Sequence, residues 1–99
     1  MNEINGKNVC SSGLNGVHGS TVTLENHNRN PVTVKDSGDP NCPFAFQKPK
    51  SPFAIKAKVG GTPGTQDAIL VNTRGTYCYT TEGCPDDHGG VNPKTVIIT

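Results

Sequence analysis

The chain has 99 residues, 31% of them hydrophobic, and a net charge of only +1. That length supports a single domain, 1–99, because a core divided in two would hold neither half. The nine Lys and Arg are interleaved with eight acids rather than gathered on a basic face, so nucleic acid is not expected as a partner. No apolar run approaches the roughly 20 residues needed to cross a bilayer, so no membrane span is expected either.

Leu, Ile, Val and Phe make up about a fifth of the chain, a thin supply for a core. Trp is absent, so the interior must be built mostly from Val and Ile. Covalent closure then matters. Four cysteines, Cys10, Cys42, Cys78 and Cys84, are an even number in a short, poorly apolar chain, which reads as two structural disulfides. A zinc site would want close C-x2-C pairs, whereas the nearest pair here is C-x5-C. Disulfides point to an oxidising compartment, so the expected location is secreted or periplasmic. The start, Met1 to Lys7, is polar with no apolar stretch behind it, so an exported protein would carry this sequence as a mature form with an added Met1.

Helix-type periodicity is nearly absent and Gly plus Pro account for 20 positions, whereas period-2 alternation recurs. A weak strand is expected around Val9. Thr21-Val22-Thr23-Leu24-Glu25 sets Val22 and Leu24 on one face, and Pro31-Val32-Thr33-Val34-Lys35 does the same with Val32 and Val34. The polar stretch 26–30 between them predicts a hairpin. Phe44-Ala45-Phe46 is a further short candidate. Phe53 to Val59 alternates with Phe53, Ile55, Ala57 and Val59 inward, and Gly60 to Gly64 reads as a turn or loop. Ala68 to Val71 and Thr76 to Thr80 follow, the latter with Tyr77 and Tyr79 on one face. Thr95-Val96-Ile97-Ile98-Thr99 ends the chain as a strand apolar enough to be buried on both sides.

These elements define an all-β fold, a Greek-key-type β-sandwich of about seven strands stapled by disulfides. Four cysteines allow three connectivities. The strand plan favours Cys10–Cys42, closing the open end of the 21–35 hairpin, together with a local Cys78–Cys84 bridge. Lys48, Lys50, Lys56 and Lys58 form the one loose basic cluster and read as a solvated strand edge, where lysine discourages edge-to-edge pairing.

Gly75-Thr76-Tyr77-Cys78-Tyr79, a loop, and then Asn92 to Ile98 resemble the ending of the cupredoxin family, and Thr21 to Asn26 resembles one of its early strands. The resemblance implies a cupredoxin-like sandwich but not its copper. A blue-copper site takes two His, a Cys thiolate and often an axial Met. In this alignment Thr81 stands where the thiolate belongs, Cys84 near the second histidine, and Asn92 at the methionine. The resemblance thus implies a copper-free frame with no cofactor. A C-x3-H pair, Cys84 and His88, is the one weak metal alternative. Ser11 to Leu14 with Cys78 and Cys84 also resemble the antibiotic-carrying apoproteins of actinomycetes, small sandwiches with two disulfides.

His18 and His27 sit in Gly- and Asn-rich loops and read as solvated polar residues. Asp86-Asp87-His88 reads as a polar loop, since neighbouring side chains on an extended chain point apart. Asp36, Asp39 and Asn41 lack the distal Glu of a calcium loop. No framed nucleophile such as G-x-S-x-G occurs, and bridged cysteines are not nucleophiles. The expectation is a non-enzymatic binding or structural module whose partner is a protein or a cell-surface component. Two other classes compete with it. One is a copper electron-transfer cupredoxin. The other is a carrier of a small apolar ligand, with a pocket lined by Phe44, Phe46, Phe53, Tyr77 and Tyr79.

Overall fold

The computed structural model describes residues 6–11, 13–85 and 93–99. Nine short strands and no helix are found among them: β1 (Gly6–Asn8), β2 (Leu14–Gly16), β3 (Thr21–Asn26), β4 (Val32–Lys35), β5 (Phe46–Lys48), β6 (Phe53–Ile55), β7 (Gly64–Leu70), β8 (Gly75–Glu82) and β9 (Lys94–Ile98). They form two facing sheets, one of four strands in the order β1-β3-β7-β5 and one of five in the order β2-β9-β8-β4-β6. The all-β, disulfide-stapled sandwich is what the period-2 patterning predicts.

The chain changes sheet at every step from β1 to β8, and only β8 and β9 are consecutive partners. The expected 21–35 hairpin is therefore absent. β3 pairs with β7 and β1, whereas β4 pairs with β6 and β8, so residues 27–31 form an arch between layers. Alternation cannot separate the two outcomes, because Val22, Leu24, Val32 and Val34 point inward in both. In a hairpin they would share one face. In the arch they meet across the sandwich, and all four are buried.

β2 has no counterpart among the expected strands, β1 lies just ahead of the weak one expected around Val9, and neither carries much apolar signal. β1 (Gly-Lys-Asn) runs parallel to β3, and β2 (Leu-Asn-Gly) runs parallel to β9. Both cover sheet edges with backbone hydrogen bonds rather than with side-chain burial. A Cβ at Gly16 in β2 would approach Leu70 Cδ1 to 2.6 Å, so the buried leucine would have to shift.

Residues 43–48 stitch the layers together. Cys78 N donates to Pro43 O at 2.9 Å and Ala45 N donates to Cys78 O at 3.2 Å, which ties this stretch to β8. Ala45 O then accepts from Val71 N at 3.0 Å, and Phe46 pairs with Leu70 in the other sheet. One short extended segment thus belongs to both sheets. The link to β6 carries cis bonds at Lys48–Pro49 and Ser51–Pro52.

The core comprises Val9, Val22, Leu24, Val32, Val34, Phe46, Ile55, Leu70, Tyr79, Val96 and Ile98, among others. Two inward assignments fail. β6 stops at Ile55, and Val59 is 76% exposed on a tight turn. β9 is buried on one face only, with Ile97 41% exposed.

All four cysteines are bridged, but as Cys10–Cys84 and Cys42–Cys78 rather than Cys10–Cys42 and Cys78–Cys84. Two causes account for the correction. β8 continues to Glu82, so at roughly 3.3 Å per residue it carries the neighbourhood of Cys84 more than 10 Å beyond Cys78, outside the ~7 Å reach of a disulfide. With β3 and β4 in opposite sheets, no hairpin end brings Cys10 to Cys42. The observed Cα–Cα separations are 5.6 and 5.5 Å.

Candidate functional site

The arch and the turn after β6 meet at one end of the sandwich, and Asn26 holds them there. It is fully buried at the end of β3. Its Nδ2 donates to Asn30 O at 2.8 Å, Lys56 O at 3.1 Å and Ile55 O at 3.2 Å. Its Oδ1 accepts from Asn28 N at 2.9 Å and Asn28 Nδ2 at 3.1 Å. A buried amide in a low-dielectric setting must be satisfied or it is costly, and this one is satisfied on both atoms. Asn28 continues the network, donating from Nδ2 to Cys10 Sγ at 3.1 Å. Its carbonyl accepts from Lys58 N at 2.8 Å.

Past Lys58, Val59 and Thr62 exchange two backbone hydrogen bonds of 3.0 Å, closing a two-residue turn on Gly60 and Gly61. Gly60 has φ +60° and Gly61 has no positive φ, the pattern of a type II′ turn with glycine at its first central position. Arg29, Lys58, Val59 and Gly60 line an open groove of ≈ 500 Å³ between this turn and the arch. The described ion pairs are His27–Glu25 at 2.9 Å and Lys35–Glu82 at 2.6 Å, so neither Arg29 nor Lys58 is neutralised by an acid among the described residues.

The five aromatic residues expected to line a ligand pocket pack on one another and on the core. Phe46 contacts Phe44, Phe53 and Tyr79, with ring centroids 5.5, 6.1 and 5.6 Å apart. Phe46 and Tyr79 are buried, and Phe44, Phe53 and Tyr77 cover the same cluster from outside. Phe46 and Tyr79 belong to opposite sheets, so their contact crosses the sandwich.

Of the weak metal pair, Cys84 is bridged to Cys10, and His88 lies outside the described residues. Asn92 and the Asp86-Asp87 step also lie outside them. Thr81 is an inward, buried residue of β8. No group of three or more His, Cys, Asp or Glu comes together among the described residues. His18 bonds through Nδ1 to Thr99 O at 2.9 Å, and His27 bonds to Glu25. Asp36, Ser37 and Asp39 each cap a backbone N–H two residues ahead in their own loop.

Of the loose lysine cluster, Lys48 lies on β5 and Lys56 just past β6, the edge strands of their sheets. Sequence reasoning missed the groove because it gave residues 53–59 one long strand and placed Val59 in the core. The doublet Gly60-Gly61 was the available signal, since it sets a tight turn immediately after Val59. Comparisons with protein-family models, with curated proteins and with solved structures found no match to this chain.

Proposed function

We propose that this chain is a non-enzymatic binding or structural module of an oxidising compartment, secreted or periplasmic, with a protein or cell-surface component as its partner. The disulfide pair carries the reading. Each bridge joins segments distant in sequence, 74 and 36 residues apart, and together they engage every cysteine. Such cross-links persist where thiols are not kept reduced, and they suit a thin core that cannot hold the fold alone. Recognition through the outer surface is supported by the aromatic residues, which are spent on packing within the sandwich.

The test is subcellular fractionation of the producing cells, with thiols alkylated before lysis and intact mass measured afterwards. The expected result is protein outside the cytoplasm with no alkylated cysteine. Protein found in the cytoplasm with alkylated cysteines would overturn the assignment.

A further inference from the structure

We infer that the groove between the 27–31 arch and the 59–62 turn is a docking site for an acidic peptide segment, an inference that rests on the binding-module reading above. Charge complementarity comes first. Segments 26–31 and 55–65 contain Arg29, Lys56 and Lys58 and no Asp or Glu. Arg29 and Lys58 line the groove together, with no acid among its lining residues. Glu25, the acid at the entrance to the arch, is engaged by His27. A groove whose guanidinium and ammonium groups have no acidic partner among the described residues draws in anions and orients them on approach.

The site is also built before any ligand arrives. Asn26 locks the arch to the backbone of residues 55 and 56, and the Lys58–Asn28 bond locks the turn to the arch. Arg29 and Lys58 consequently project from two segments that cannot separate without breaking a buried network. Binding to such a surface costs little ordering of the backbone.

The lining selects a peptide over a uniformly charged polymer. Val59, the most exposed large hydrophobic side chain among the described residues, stands beside the two cations. Gly60 and Gly61 leave open space where a Cβ would project, so a partner backbone can approach the turn closely. A carboxylate side chain for Arg29, a second for Lys58 and an aliphatic side chain against Val59 match this lining. A sulfated glycan would use the charges and leave Val59 without a partner.

The test uses the full, oxidised chain and fluorescence anisotropy of a labelled octapeptide alternating glutamate and valine. A lysine–valine peptide and a labelled heparin-derived oligosaccharide are the comparison probes. The acidic peptide is expected to bind, to weaken as salt rises, and to lose about tenfold in affinity with the charge-reversed double variant R29E/K58E. The neutral double variant R29Q/K58Q guards against a folding defect and is expected to lose several-fold. The lysine peptide is expected to bind only R29E/K58E. Equal binding of the acidic peptide to wild type and both variants overturns the site, as does no binding to wild type. Tighter binding of the oligosaccharide than of the peptide overturns the occupant. None of these outcomes alters where the protein resides or its redox state, so the binding-module reading stands or falls separately on the fractionation result.

Discussion

The phenol of Tyr79 on β8 donates to the carbonyl of Val9 at 2.8 Å, joining residues 70 positions apart inside the sandwich. A second contact reaches Ser11 O at 3.2 Å, and the Cys10–Cys84 bridge lies between the two acceptors. The segment 9–11, which belongs to no strand, is thus held by one side-chain hydroxyl and one disulfide in addition to its backbone bonds to Glu25 and Asn8.

Removing that hydroxyl leaves a buried carbonyl unpaired. Tyr79→Phe is expected to cost about 1–2 kcal/mol, a fall of roughly 4–16 °C in the thermal midpoint. Tyr77→Phe is the control, because the Tyr77 hydroxyl bonds to Thr73 O at the exposed surface. Its effect should stay within about 0.5 kcal/mol. Equal losses from the two variants would show that the buried bond contributes nothing special.

Burial raises the Tyr79 phenol well above its ordinary value, so the folded state keeps this proton at a pH where the unfolded chain releases it. Stability from this group is intact below about pH 10, the unfolded value, and declines as pH rises further toward the folded value. Urea titrations across the alkaline range should therefore show a slope in wild type that Tyr79→Phe reduces. An unchanged slope would assign alkaline unfolding to other groups.

The bridges are nested, with Cys42–Cys78 inside the loop closed by Cys10–Cys84. Considered alone, the outer bridge closes the longer loop and would stabilise more. With the inner bridge intact, however, the outer one closes a path of only about 38 residues, close to the inner loop. The chain-entropy model then assigns each about 4 kcal/mol. The double variants C10A/C84A and C42A/C78A should consequently melt within a few degrees of each other and well below wild type. A large gap between them would show local packing outweighing loop entropy.

Asn26→Asp keeps the size and removes the donors. An amide N–H2 now serves three carbonyls, and a carboxylate would face them with charge repulsion and no hydrogen. A loss of about 3 kcal/mol or more is expected by urea denaturation, the cost of a buried polar network left half satisfied. A loss below about 1 kcal/mol would mean that the arch is held by its backbone bonds alone.

Gly64 pairs with Asn26 across β3 and β7, and a Cβ there would run into the Lys56 carbonyl. Gly64→Ala should cost about 1–3 kcal/mol through backbone displacement. Gly61→Ala meets no atom within 4 Å and should stay within about 0.5 kcal/mol. Thermal melts of the pair decide whether close approach, rather than glycine content, governs this end of the molecule.

Period-2 alternation at Val22/Leu24, Val32/Val34 and Tyr77/Tyr79, with scarce apolar residues and four cysteines, determined a disulfide-stapled all-β fold by itself. Burial along one strand face is a local property, and these residues display it locally. Tertiary structure alone decided which strands became neighbours. Val22 and Leu24 satisfy a hairpin and an arch equally, and the arch sets Asn26 against partners at Ile55 and Lys56 about thirty residues away. Cysteine pairing followed from that choice, because strand length and sheet membership set which sulfurs come within reach. The groove at Arg29 and Lys58 had only the Gly60-Gly61 turn as a local signature. Its two cations stand 29 residues apart in the chain, and only the network around Asn26 gives them a common surface.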